Sequence, residues 1–233
     1  MAGKFISPDG DLEQIFVNDY AMIDQYAMTG SLWTWGQNNT GQLGDNTIVN
    51  KSSPVQTVAG GTNWKQVAYG TNHTAAIKTD GTLWTWGYNN YGQLGDSTIV
   101  NKSSPVQTIA GGTNWKQVAG GSVHTAAIKT DGTLWTWGNN GQGQLGDNTG
   151  ANKSSPVQTI AGGTNWKQVS VGKDNNAAIK TDGTLWTWGS NLNGQLGDNT
   201  VANKSSPVQT VAGGTNWKQV ACGYYTAAIT DIF

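Results

Sequence analysis

Between Gly30 and Phe233 one unit is written four times, almost letter for letter, at a constant step of 51 residues. Leu-Trp-Thr-Trp-Gly recurs at Leu32–Gly36, Leu83–Gly87, Leu134–Gly138 and Leu185–Gly189. Trp-Lys-Gln-Val recurs at Trp64, Trp115, Trp166 and Trp217. A unit of this size cannot bury an apolar face alone, so its copies must stack and share a core. The chain is therefore a repeat scaffold before it is anything else.

The local pattern within a unit is that of short strands. Trp64-Lys-Gln-Val-Ala68 alternates apolar and polar side chains, as a half-buried strand does. Thr74–Lys78 and Thr82–Trp86 are two further runs, joined by Thr79-Asp80-Gly81. Asp-Gly tolerates the positive φ angles of a tight hairpin, and the second run is rich in β-branched and aromatic residues. Ser104–Ile109 is a fourth strand, and Pro105 near its start places it at an edge, because proline cannot donate to a ladder. Four antiparallel strands per unit make a propeller blade, so the expected fold is an all-β propeller of four 51-residue blades.

These residues carry a family likeness. Val67-Ala-Tyr-Gly70-x-x-His73-Thr-Ala-Ala-Ile77, Leu83-x-x-Trp86-Gly87 and Gly92-Gln-Leu-Gly95 resemble the repeat of the regulator of chromosome condensation family. The resemblance implies blades of about fifty residues in a β-propeller, usually of seven. This chain has four units, and the motif histidine is present only as His73 and His124. Asn175 replaces it in the third unit, and Gly223–Ile229 is one residue shorter and has none. The family's nucleotide-exchange activity and chromatin docking have no matching surface here and are not carried over.

The phase of the units predicts how the ring closes. The first begins in mid-hairpin at Gly30-Ser-Leu-Trp, and the last reaches Ile229 just before that same turn. The strand around Leu32, Trp33 and Trp35 can therefore pair with the strand around Ile229. A four-bladed ring closed within one chain is the first expectation; an eight-bladed homodimer satisfies the same arithmetic.

Residues 1–29 lie outside the repeat and residues 30–233 form the propeller. The front segment holds five of the 14 acidic residues (Asp9, Asp11, Glu13, Asp19, Asp24) and all three methionines. Ile15, Phe16, Tyr20, Met22, Ile23 and Tyr26 would give a helix one apolar face; short strands about an Asn18-Asp19 turn fit as well. The segment reads as a cap on the ring or as a docking arm for another protein.

Composition narrows function by exclusion. The net charge is −1, charged residues are 12 % of the chain, and every basic residue is lysine. Nucleic-acid surfaces rely on basic clusters and on arginine, so no nucleic-acid partner is expected. No apolar run reaches 18 residues, so no membrane partner is expected either. The N-terminus lacks a signal-peptide pattern, which makes cytoplasmic synthesis the default expectation. Cys222 is the single cysteine, ruling out an intrachain disulfide; it reads as a small, semi-buried residue.

No catalytic constellation stands out, and no enzyme activity or cofactor is expected. Asp45, Asp96, Asp147 and Asp198 recur after Gln-Leu-Gly, and Asx-type turns explain them better than a cation ring. Asp80, Asp131 and Asp182 are hairpin residues by the same logic. His73 and His124 could pair as metal ligands across blades, but a hydrogen-bonded place near the inner strand is the simpler reading. The paired tryptophans of Trp-Thr-Trp share one strand face and should pack between blades.

Differences between the units collect in three loops. One follows Trp-Gly (37–40, 88–91, 139–142, 190–193) and one follows Val-Ala (69–73, 120–124, 171–175, 222–225). The third comprises Ile48-Val49, Ile99-Val100, Gly150-Ala151 and Val201-Ala202. Loops on a rigid scaffold are where binding residues sit. The candidate partner-binding residues are Tyr69, Asn72, His73, Tyr88, Tyr91, His124, Lys173, Asp174, Tyr224 and Tyr225. The function expected is a non-enzymatic scaffold for a protein partner, with a carbohydrate-binding propeller as the alternative.

Overall fold

Each unit breaks into four strands because glycine and Asx turns interrupt its apolar runs. The computed structural model of the protein describes residues 5–6, 12–13 and 30–231. Strands β1 (Phe5–Ile6) and β2 (Leu12–Glu13) pair antiparallel. The helix or turn expected over 15–26, and the choice between cap and arm, lie outside the described residues.

Three complete sheets follow the four-strand plan. The first contains β5 (Trp64–Tyr69), β6 (His73–Lys78), β7 (Leu83–Gly87) and β8 (Lys102–Gln107) in that order. The second contains β9 (Trp115–Gly120), β10 (His124–Lys129), β11 (Leu134–Gly138) and β12 (Lys153–Gln158). The third contains β13 (Trp166–Val171), β14 (Asn175–Lys180), β15 (Leu185–Gly189) and β16 (Lys204–Gln209). Every strand is antiparallel to its neighbour, and the proline-bearing strand lies outermost, as expected. At the β6–β7 hairpin, Gly81 has φ 78° and Asp80 Oδ1 accepts from Thr82 N at 2.9 Å. A side chain at Gly81 would also strike the carbonyl of Thr113 in the next unit, so glycine is required there twice over.

The core lies between sheets. Ala75, Ile77 and Leu83 of one blade meet Trp115, Val118, Ala127 and Trp137 of the next. The last indole of each complete Leu-Trp-Thr-Trp-Gly strand (Trp86, Trp137, Trp188) is fully buried. Each removes on the order of 200 Å² from water, a contribution of several kcal/mol. The preceding tryptophans share that strand face but sit at the rim, half-buried, with the ammonium of Lys78 4.7 Å from the Trp84 ring.

The ring closure expected within the chain is not formed. β3 (Trp33–Gly36) and β4 (Lys51–Gln56) make one two-stranded sheet, and β17 (Trp217–Cys222) and β18 (Thr226–Thr230) make another. β3 and β18 do not pair, and Trp33, Trp35 and Ile229 stay 51 %, 61 % and 59 % exposed. The described architecture is an arc of three complete blades flanked by two half-blades. Among the described residues no helix is long and apolar enough to cross a membrane.

Candidate functional site

The antiparallel plan sends two connections of every blade to the same end: the loop from the first to the second strand, and the loop from the third to the fourth. These carry all three variable segments. Their backbones are tied together, with Tyr88 N, Asn139 N and Ser190 N donating to Asn72 O, Val123 O and Asp174 O at 2.8–2.9 Å. The first-to-second-strand loops also link along the arc, through Thr71 N to Gly121 O, Ser122 N to Lys173 O and Lys173 N to Gly223 O. The third variable segment is held by a buried asparagine. Asn38 Nδ2 donates to Asp45 Oδ1, Thr47 O and Val49 O, while Asn38 Oδ1 accepts from Leu43 N. Apolar tips such as Ile48 and Val49 are thereby left in solvent. One rigid face carries all three variable segments, while the fourth-to-first-strand connections at the other end differ only by the Val58, Ile109, Ile160 and Val211 exchange.

On that face the tyrosines are presented outward. Tyr69, Tyr224 and Tyr225 are three-quarters exposed or more. Tyr91 is also exposed and packs edge-on against half-buried Tyr88, ring centroids 6.3 Å apart. Asn72 is half-buried, its carbonyl committed to Tyr88 N. The exposed Lys173 places its ammonium 5.2 Å from the Tyr224 ring, and Asp174 Oδ1 accepts from Gln144 Nε2 at 3.3 Å. Lys173, Asp174, Tyr224, Ser190, Leu192 and Asn193 line one depression of about 280 Å³. Leu192, 69 % exposed, is absent from the sequence-derived candidates. It lies inside the variable segment 190–193, and weighting aliphatic as well as aromatic differences would have found it.

Two candidates do not reach the face. His73 and His124 are 1 % and 0 % exposed, so both belong to the scaffold. His73 Nε2 lies 2.9 Å from Thr125 Oγ1, and His124 Nε2 3.1 Å from Asn176 Oδ1, each across a blade seam. Thr125 Oγ1 and Asn176 Nδ2 already donate to the carbonyls of Gln93 and Gln144. The histidines must therefore donate from Nε2, which leaves each Nδ1 buried and unpartnered. Burial, with His124 close by, pushes the pKa of His73 down to about 3. Burial takes His124 down to about 4 against the opposing hydrogen bond to Asn176 and the charge of Asp174.

The recurring aspartates are satisfied locally. Asp45 Oδ1 accepts from Thr47 N at 3.0 Å and Thr47 Oγ1 at 2.8 Å, and Oδ2 meets Lys51 Nζ at 3.1 Å. Burial raises the Asp45 pKa, but Thr47, Lys51 and Asn38 together outweigh it and hold the carboxyl below its ordinary value. Asp96, Asp147 and Asp198 repeat the turn. Each carboxylate is thus engaged in an Asx turn and a lysine pair. Burial pushes the Cys222 thiol up to about 11, far from a reactive thiolate.

Comparison with known proteins places this geometry. The chain is 34 % identical over 209 residues to the ultraviolet-B receptor UVR8 of Arabidopsis thaliana, covering 88 % of this chain and 48 % of that protein. It is 32 % identical over 197 residues to human HERC4, a probable E3 ubiquitin-protein ligase of which the match spans only 18 %. Among solved structures it superposes on human WBSCR16 with a TM-score of 0.75 at 24 % identity, covering 88 % of this chain and 54 % of that one. On Saccharomyces cerevisiae Prp20p, described with its binding to Gsp1p and histones, the TM-score is 0.74 at 20 % identity, covering 87 % and 52 %. Against UVR8 and both structures, the chain spans about half the partner's length. The family model for the RCC1-like domain matches residues 14–232, and the chain belongs to that family.

Proposed function

We propose that this protein is a non-enzymatic propeller scaffold that binds a protein partner through its variable-loop face. The observation carrying this reading is the gathering of the three variable segments and the exposed tyrosines onto one end of otherwise repeating blades. Tyr69, Tyr91, Tyr224 and Tyr225 offer rigid amphipathic area at low entropic cost, and Lys173 and Leu192 add a charge and an apolar anchor beside Tyr224. Prp20p, a structural relative, is described as binding Gsp1p and histones, which supports protein contact as the mode without naming a partner here. A carbohydrate-binding propeller would use exposed aromatic platforms for sugar faces. In the complete blades the tryptophan indoles are buried or lie beneath lysines.

The test compares the full chain with a Tyr69→Ser, Lys173→Ser, Leu192→Ser, Tyr224→Ser variant as bait in lysate from the source cells. A protein retained by the parent, lost by the variant and recovered in a purified binding assay is the expected result, with both baits melting alike. Equal retention by both baits, or saturable sugar-competed binding on a glycan array, overturns the reading.

A further inference from the structure

The two half-blades are complementary halves of one blade, and the contacts each lacks are the contacts the other offers. In complete blades, His73–Lys78 pairs with Leu83–Gly87 in the register Ile77↔Leu83, Ala76↔Trp84, Ala75↔Thr85 and Thr74↔Trp86. β18 holds the counterparts of the first set (Thr226, Ala227, Ala228, Ile229), and Leu32–Trp35 holds those of the second. Ile77, Ile128 and Ile179 are 0 % exposed, whereas Ile229 is 59 % exposed. Trp86, Trp137 and Trp188 are 0 % exposed, whereas Trp35 is 61 % exposed. Sequence cannot explain the contrast, since the strands are nearly identical; the missing neighbour does.

The same vacancy shows in the polar contacts. Trp86, Trp137 and Trp188 donate from Nε1 to the carbonyls of Gln42, Gln93 and Gln144 at 2.8–2.9 Å. The fourth carbonyl of the series, Gln195 O, accepts from Thr226 Oγ1 but from no indole. A side chain at Gly44, Gly95 or Gly146 would meet that indole within 3 Å, while Gly197 faces open space out to the Thr210 methyl at 3.9 Å. Asn46 N, Ser97 N and Asn148 N donate to Ser103 O, Ser154 O and Ser205 O, but among the described residues Asn199 N has no serine carbonyl opposite it. On the inner strands, Gln66 and Gln117 each clasp the backbone of Val118 and Val169, at 3.0–3.1 Å. Gln219 at one end is exposed, and Val67 at the other is 52 % exposed where Val118, Val169 and Val220 are 1–3 %. A groove of about 410 Å³ runs beside β18, lined by Leu185, Leu196, Gly197, Val211, Trp217 and Ala228.

We infer that this groove is the seat of Leu32–Trp35 from a second copy of the chain, and that two copies close one ring through two identical composite blades. Each composite blade takes β17 and β18 from one copy and β3 and β4 from the other. Trp35 then fills the slot at Gly197 and donates to Gln195 O, Ser52 O meets Asn199 N, and Gln219 clasps Val67 of the other copy. The occupant is a second copy because the arc superposes on 52–54 % of the larger propeller chains. Its blades therefore turn at the rate of a ring roughly twice this length, which holds its own β3 away from β18. Head-to-tail contacts of this kind close when the rotation allows and otherwise propagate. The closed ring presents the variable-loop face twice, on one side of one disc.

The test is the mass of the full chain in solution by light scattering over a wide concentration range. A mass twice 24.6 kDa, unchanged by dilution, is expected. Trp35→Lys should halve it while the β-sheet circular dichroism persists. A second measurement does not depend on that variant folding. In a Cys222→Ser background, Trp33→Cys and Ala228→Cys are placed on separate, co-expressed chains, since these positions are register partners in the composite blade. Oxidation should give a covalent heterodimer on a non-reducing gel. A mass of 24.6 kDa at all concentrations, a cross-link formed only when both cysteines are in one chain, or a mass that grows without limit each overturns the two-copy ring.

Discussion

The seam between the first and second complete blades and the seam between the third and the β17–β18 half-blade are built from equivalent residues but bonded differently. At the first, His73 reaches Thr125 and Gln66 clasps the Val118 backbone from both sides. At the last, Asn175 replaces histidine and reaches Thr226 Oγ1 at only 3.4 Å, and Gln168 Oε1 is buried with no partner. Ser170, unique among its counterparts, supplies a different bond to Cys222 N at 2.9 Å. Yet Val118 and Val220 are equally buried. The apolar contact holds the seams together, and the polar groups can be exchanged around it.

Among single substitutions, removing a seam indole should therefore have the largest effect. Trp137→Ala, at a fully buried position, should cost about 3–5 kcal/mol in urea unfolding, from lost transfer energy plus a cavity. Trp35→Ala should cost the isolated arc far less, because more than half of that residue is already in water. Equal losses in a monomeric preparation would show that local strand energetics, not the neighbouring blade, sets the contribution.

Acid should separate the histidine seams from the asparagine seam. An unfolded histidine titrates near 6.5, while burial holds His73 to about 3 and His124 to about 4. Below pH 6.5 the unfolded chain binds protons that the folded chain refuses, so stability falls as pH falls. The slope is about 1.4 kcal/mol per pH unit for each histidine, ending near pH 4 for His124 and pH 3 for His73. His73→Asn with His124→Asn copies the natural state at Asn175 and should flatten the profile between pH 6.5 and 4. An unchanged slope would mean that neither histidine controls acid sensitivity in that window, since the carboxylates act only below their unfolded value of about 3.9. Those lose stabilisation only as pH falls through their own depressed pKa values, as at Asp80, where the Thr82 hydroxyl and N–H bonds lead.

Between these extremes lies the glutamine clasp. Gln117→Leu strips partners from both Val169 N and Val169 O and should cost about 1–3 kcal/mol. Gln168→Leu removes a side chain whose carbonyl oxygen is already unpaired, and should be close to neutral. A similar cost at both positions would mean that glutamine acts by packing rather than by hydrogen bonding.

Much of this organisation was legible in the sequence. The 51-residue step, the Asp80-Gly81 hairpin and the edge proline fixed four strands per blade and their order. The Asx turns at Asp45 and its counterparts followed from residue chemistry alone. Closure did not, because whether Leu32–Trp35 meets Ile229 depends on the rotation between blades, a sum of small packing angles that no local pattern encodes. A hydrogen-bonded place near the inner strand was legible for His73, but its absence from the binding face was not. The residue sits at the end of a variable loop, and only the strand register reveals that His73 opposes Gly87 inside the sheet.

The smallest effect on stability should come from the variable-loop face, where the contrast with the seams is sharpest. Tyr69 is 81 % exposed and Tyr224 75 %. Replacing Tyr69 with serine should shift the unfolding free energy by no more than about 0.5 kcal/mol, as for surface positions outside any special contact. Tyr224 differs in carrying a special contact, the Lys173 ammonium 5.2 Å from its ring, worth about 0.5–1 kcal/mol at an exposed site. Tyr224→Ser should therefore lose slightly more than Tyr69→Ser, and Lys173→Ser should remove the difference in a double-mutant cycle. A coupling near zero would mean that Lys173 and Tyr224 are independently available to a partner. A measurable coupling would mean that they are pre-organised as one unit, so that binding spends little entropy in ordering them.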